Sequence, residues 1–316
     1  MTDAHDRFTS ETTRHRRELR AYCYRMVGSP IDAEDLVQDV YLRAWRAYAG
    51  FERRASIRAW LYRIATNVCL TALESRRVRV LPSGLGAAHD GDRPPTEVAD
   101  AAWLEPLPDA WFAPVADDPA GVVIARESLR LALIASLQYL PARQRAILIL
   151  RETLAFSADE TAEMLATTTA AVKSGLQRAR ARLDELMPDR EALLEPTDPR
   201  ARALLDGYMA AFERSDAALL VEVLRADATL EATPFRDWRA GRARCIELLA
   251  SHVLGTAGDW QMSATIANGQ LAALVHRRDA AGAMRANGIV VLAATAAGVA
   301  QVVAFHHDPS LLTLFG

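Results

Sequence analysis

The side chains best suited to recognition chemistry lie between Thr168 and Leu183. Val172, Leu176, Ala179 and Leu183 are spaced four, three and four apart, so on a helix they share one apolar stripe. At about 100° per residue, Ser174, Gln177, Arg178 and Ala181 point the opposite way, with Lys173 and Arg180 on the flank. Arg or Lys can pair with guanine acceptors in a major groove, Gln can pair with adenine, and further cations neutralise phosphates. The preceding residues have helix-turn-helix proportions, with a short helix from about Ser157 to Leu165, a turn through Ala166 to Thr168, and a longer helix from Thr169. Ala166 stands where many such turns have glycine. By pattern alone, a helical hairpin with a solvated cationic edge stays open as an alternative.

A second cationic set occupies the loop AGFERRAS (49–56), where Phe51 lies beside Arg53 and Arg54. Past it, Arg58, Tyr62, Arg63, Thr66 and Asn67 fall on or beside the polar side of a helix that ends in Arg76, Arg77 and Arg79, while Trp60 reads as core. Cations that track a backbone, with aromatics able to stack on exposed bases, are what single-strand capture requires. A third set, Asp32, Asp35, Gln38, Asp39 and Arg43, forms the polar side of another helix, which its charges alone assign to solvent. The three cysteines, Cys23, Cys69 and Cys245, form no CxxC pair and read as buried free thiols; no metal or cofactor is called for.

These sets need rigid helices behind them. Between residues 18 and 75, apolar residues recur at helical spacing in three runs, Leu19 to Val27, Leu36 to Trp45 and Ile57 to Leu73, and Ser29-Pro30-Ile31-Asp32 supplies a turn and cap for the second. The 316 residues carry a net charge of -3, unevenly spread: +5 over 1–80, -7 over 81–120, +2 over 121–187 and -3 over 188–316. Only the first and third segments suit nucleic acid. Residues 81–120 hold seven of the fourteen prolines and read as an acidic linker; a second break lies at 188–199. The expected domains are therefore 1–80, 121–187 and 200–316. No apolar run is long enough for a membrane span, and the polar N-terminus does not read as a signal peptide, which suggests a cytoplasmic protein.

The strings DAEDLVQDVYLRAWRAY (32–48), IRAWLYRIATNVCLTALESRRVR (57–79) and LPARQRAILILRETLAFSADETAEMLATTTAAVKSGLQRARARL (140–183) resemble, in order and separation, the two conserved parts of bacterial sigma factors of the extracytoplasmic-function group. The resemblance implies that Asp35, Leu36, Gln38, Asp39 and Arg43 dock on core RNA polymerase. It implies that Phe51, Arg53, Arg54, Ser56, Trp60, Arg63 and Asn67 read and melt the minus-ten element. Lys173, Ser174, Gln177, Arg178 and Arg180 would read the minus-thirty-five element. Ile57 stands where the family more often has an aromatic. The acidic linker would thread the polymerase toward its RNA exit channel, with Asp90, Asp92, Asp117 and Asp118 mimicking nucleic acid.

Ordinary members of that group end soon after the helix-turn-helix. Here the remaining residues read as helices ARALLDGYMAAFERS and AALLVEVLR, a short β-run ATLEATP, a helix GRARCIELLASHVL, and β-runs WQMSATIAN, LAALVHRR, GIVVLAATA and VAQVVAFHH. This is an α+β cone, and ANGQLAALVHRRD and VAFHHDPSLLTLFG resemble the SnoaL-like (NTF2-like) domain fused to certain such sigma factors. The fold expected is multidomain: two all-α sigma domains, the second with the helix-turn-helix, then the cone. His252, His276, His306, Glu231 and Asp308 are the ionisable candidates in the cone, but no spacing forces convergence and no catalytic residue is assigned. Tyr208, Phe212, Trp238 and Trp260 could line an apolar pocket or simply fill the core. The expected function is a non-enzymatic initiation factor modulated by the cone, with an anti-sigma protein or a small ligand as further partners. The rivals are a ligand-sensing DNA-binding regulator and an enzyme with a DNA-binding half. A plain repressor has no use for the DAEDLVQDVYLRAW helix beside a melting loop.

Overall fold

The structure is a computed structural model that describes residues 2–53, 55–91, 93–111, 127–187, 192–306 and 308–315. It divides into two compact units, one of Met1–Arg79 with Ala110–Asp189 and one of Val80–Asp109 with Arg190–Gly316.

The first unit is all-helical. Helix α1 (Thr2–Thr12) is followed by α2 (Arg16–Val27), α3 (Pro30–Ala47) and α4 (Ile57–Ser75). The three runs of apolar spacing thus became α2 to α4, but α1 has no such run. It is held through Phe8, which meets the rings of Tyr41, Trp45 and Tyr48 edge-on at 5.1–6.2 Å. Trp45, expected inside, is 41% exposed and covered in part by α1. Gly28 ends α2 in the left-handed conformation, and Ser29, not Asp32, caps α3 by accepting from the Asp32 N–H at 3.2 Å, with Pro30 opening the helix. Asp32 instead pairs with Arg76 and Arg79, tying the end of α4 to the start of α3.

The same unit continues in α5 (Leu131–Gln138), α6 (Ala142–Leu148), a π turn over Ile149–Thr153, α7 (Ala158–Met164) and α8 (Thr169–Leu186). The helix-turn-helix lies where its signature put it. Ser157 and Glu160 close a capping box on α7, Ala166 takes the left-handed φ of 48° that glycine would supply, and Thr168 caps α8. Gly175, absent from the expected stripe, is buried in place of the half-buried Leu176; a Cβ there would meet Ile147 Cδ1 at 2.7 Å.

The second unit is α+β, as expected. Helices α9 (Pro199–Glu213), α10 (Leu219–Val223) and α11 (Arg242–His252) pack on a six-stranded sheet of β1 (Leu224–Thr233), β2 (Arg239–Ala240), β3 (Trp260–Ala267), β4 (Gln270–Arg278), β5 (Met284–Thr295) and β6 (Gly298–Phe305). The order is β2-β1-β6-β5-β4-β3, with β1 parallel to β6 and every other pair antiparallel. Tyr208, Phe212, Leu248 and Leu249 from the helices meet Leu230, Met262, Val275 and Val290 of the sheet in one core.

The proline-rich stretch is not a free tether over its first thirty residues. Val80 bridges Trp103, the Leu104 N–H donates to the Val80 carbonyl at 2.9 Å, and Trp103, Leu104 and Leu107 are buried. Leu107 donates to Asn268 Oδ1 and accepts from the Asn268 N–H; Asp109 Oδ1 accepts from Gly269; Asp237 takes the Thr96 N–H and Arg93. The prolines explain the form: without N–H groups they cannot join a ladder, but an extended chain can lay alternate side chains on the sheet edge and borrow isolated bonds from it. Of the acidic residues assigned to a channel-mimicking role, Asp92, Asp117 and Asp118 lie outside the described residues.

Candidate nucleic-acid interface

Helix α8 presents Lys173, Ser174, Gln177, Arg178 and Arg180 on its exposed side, opposite the buried Val172, Gly175, Ala179 and Leu183. Arg178 donates to Ser174 Oγ one turn back, which lays the guanidinium along the helix. Arg180 pairs with Glu152 from the preceding π turn, so its charge is already answered. The Glu152 pair is exposed, and such pairs hold little energy, about 0–1 kcal/mol, so a phosphate can replace the carboxylate.

The minus-ten set is only partly a surface. Phe51 stacks on Trp60, with centroids 4.7 Å apart and planes at 29°, and Trp60 is buried beneath it. Ser56 accepts from the Ala59 N–H at 3.1 Å and is the N-cap of α4. Arg53 reaches Glu11 of α1 at 2.7 Å. Arg63 and Asn67 are exposed on α4, and Arg54 lies outside the described residues. Tyr62 and Thr66, which the sequence put near this polar side, are fully buried: Thr66 Oγ1 lies 2.8 Å from Tyr22 Oη, and burial drives the Tyr22 and Tyr62 phenols well above their ordinary range. They build the wall and do not touch solvent.

Asp35, Gln38, Asp39 and Arg43 form an exposed stripe along α3, interleaved with the exposed apolar Ile31 and Leu42. Leu36 is 5% exposed and belongs to the core, so it supports this face from below instead of offering a contact. The exposed Ile31 and Leu42 add apolar area to this charged face, which charges alone did not reveal.

The loop and start of α4 face α7 across a groove that contains none of the α8 cations. Phe51, Arg53, Ser56, Trp60 and Arg63 form one wall of a groove of about 720 Å³ whose other wall includes Glu160, Glu163 and Met164 of α7. Nearby, Phe156 packs edge-on to Tyr62 at 5.2 Å and lies 4.4 Å beneath the Arg58 guanidinium, which also donates to the Leu154 carbonyl. Deeper in the joint two arginines are buried without a carboxylate partner among the described residues. Arg145 donates to the Met26, Gln138 and Leu140 carbonyls and to Gln138 Oε1, and Arg25 donates to Ser128. Burial pulls both guanidiniums down to about 10, so both stay charged at neutral pH. Cys23 and Cys69, distant in sequence, sit in this core with sulfurs 3.7 Å apart, and all three thiols are buried.

Residues 12–79 match the Sigma-70 region 2 family model, and residues 130–183 match the model of Sigma-70, region 4. The chain is 45% identical to the ECF RNA polymerase sigma factor SigG of Mycobacterium tuberculosis over 98% of its own length and 83% of that protein. It is 33% identical to SigM of the same organism over 55% of this chain and 74% of the relative. The crystal structure of the extracytoplasmic function sigma factor SigJ of M. tuberculosis has the same fold across both units, with a TM-score of 0.64 at 23% identity, covering 97% of this chain and 99% of that one. Two sigma modules, in the order and with the helix-turn-helix geometry described above, and a full-length relative at this identity leave one conclusion: the chain belongs to the ECF RNA polymerase sigma factors, initiation factors and not enzymes.

Proposed function

We propose that the chain docks on core RNA polymerase through the α3 stripe of Asp35, Gln38, Asp39 and Arg43, opens the minus-ten element at Phe51, Arg53, Arg54, Arg63 and Asn67, and reads the minus-thirty-five element with Lys173, Ser174, Gln177, Arg178 and Arg180. The cytoplasm is where such a factor meets its polymerase. The observation that carries this reading is the outward cation-and-amide face of α8 on a properly capped helix-turn-helix.

The two modules must separate to act. Elements centred about 25 base pairs apart are about 85 Å apart on B-DNA at 3.4 Å per step. A compact unit of this size has a radius of gyration of about 15 Å. The groove that faces Phe51 and Trp60 is walled by Glu160 and Glu163, so the packed arrangement holds carboxylates where single-stranded phosphates would go.

The second unit limits that release. The chain leaves the first unit at Arg79 and re-enters it at Ala110, and Val80–Asp109 are folded on the cone. A flexible thirty-residue chain has an r.m.s. span of about 30 Å, and Val80–Asp109, held on the cone, do not supply that slack. The cone therefore modulates initiation by shortening the leash. Run-off transcription with core polymerase and the intact chain tests the reading. Transcripts that start at fixed sites and vanish on Asp39→Arg support it, whereas tight site-specific binding to duplex without polymerase would overturn it.

A further inference from the structure

The cone encloses a cavity of about 260 Å³ that the transcription reading leaves unused. Its deep wall is apolar and aromatic: Tyr208, Phe212 and Trp260 are all nearly fully buried. Its mouth is different. His252 and Arg277 line it and are exposed to solvent. The Arg277 guanidinium lies 5.0 Å over the Trp260 ring and makes no salt bridge among the described residues. Asp259, the carboxylate near it, already accepts from the Thr256 N–H and hydroxyl at 2.8 Å.

The one carboxylate in the lining, Asp237, is also committed. Its Oδ1 accepts from Arg93 at 3.2 Å and its Oδ2 from the Thr96 N–H at 2.8 Å, which fastens Pro95 over the cavity as part of its wall. The opening is further lined by Arg277, His252 and the Asn287–His306 pair, whose Nδ2 and Nδ1 are 2.9 Å apart. From these placements we infer that the cone is a binding site for a small amphiphilic monocarboxylate, its apolar body among Tyr208, Phe212 and Trp260 and its anion at Arg277.

The size fits a medium chain. Taking each methylene as roughly the ~30 Å³ of a water molecule, the cavity holds about nine carbons. An anion at an exposed mouth gains only a modest pairing energy, so discrimination between head groups is set at about fivefold, while affinity comes from the buried chain. Because Pro95 belongs to the strap that shortens the leash, an occupant would touch the regulatory segment directly. The site itself stands independently of the transcription reading.

The test uses the intact chain and two probes of equal length, decanoate and decyltrimethylammonium, titrated calorimetrically. Decanoate is expected to bind saturably at one per chain and about fivefold more tightly than the cation. Arg277→Gln is expected to erase that preference while keeping chain-dependent binding. Ala304→Phe, which places a ring inside the cavity from β6, is expected to weaken decanoate more than tenfold with the thermal transition retained. Leu230→Phe from β1 provides the same block should the first variant fold poorly. Equal affinity for both probes, no saturable binding of decanoate, or full binding by both blocked variants would each overturn the inference.

Discussion

Individual side chains divide into those that can be lost without unfolding the protein and those that cannot. Arg178 is exposed and bonded only to its own helix, so Arg178→Ala should leave thermal stability within about 0.5 kcal/mol yet lower promoter-dependent transcription about tenfold. The measurement is run-off yield beside a melting curve, and unchanged yield would remove Arg178 from the reading face. Arg145 is the opposite case: Arg145→Ala strands acceptors from both modules and should cost about 3 kcal/mol in denaturant unfolding. Glu231 gives a pH signature. It is 1% exposed, and burial raises its carboxyl above the usual range even though the Ser83 N–H and Gln301 Nε2 donate to it. A raised folded value means that the native state holds the proton longer than the unfolded chain, so this group's contribution is most favourable in acid and declines as pH rises through its folded value. Relative to wild type, Glu231→Gln should therefore gain stability as pH rises above the ordinary carboxylate range, a trend that parallel unfolding curves would detect or exclude.

Among the elements, helices were the most legible. A 3.6-residue period is a local property, and the stripe from Val172 to Leu183 with the turn through Ala166 to Thr168 placed the helix-turn-helix to within a residue or two. Helix α1 was not legible, because its anchors, Phe8 against Tyr41, Trp45 and Tyr48 and Glu11 against Arg53 and Tyr48, gain meaning only from distant partners. In the sequence the stretch 80–109 has the composition of a linker, because prolines and acids mask Trp103, Leu104 and Leu107, which are buried. Its hold can be loosened at Asn268, whose φ of 55° glycine adopts freely and whose Oδ1 accepts from Leu107. Asn268→Gly removes that bond without backbone strain, at about 1–2 kcal/mol, and should speed proteolysis within 100–109 and raise transcript yield. Asn268→Asp keeps an acceptor and should restore both towards wild type; equal digestion of all three proteins would show that the strap is held elsewhere.

For the molecule as a whole, the decisive quantity is the distance across the groove between α4 and α7. Spin labels at Arg63→Cys and Glu163→Cys, on opposite walls of one groove, should lie within about 20–25 Å in the free protein and beyond about 60 Å in the complex with polymerase and promoter. A short distance in the active complex would rule out the opening. Composition, charge blocks and periodicity determined by themselves that this chain carries two cationic helical modules and an α+β cone, because those signals depend on neighbours a few residues away. Only the tertiary structure decided that the modules pack face to face around Arg145, that the acidic stretch is strapped to the cone, and that the cone is hollow. Each of these joins residues far apart in the chain, where burial and hydrogen bonding depend on partners that no local pattern specifies.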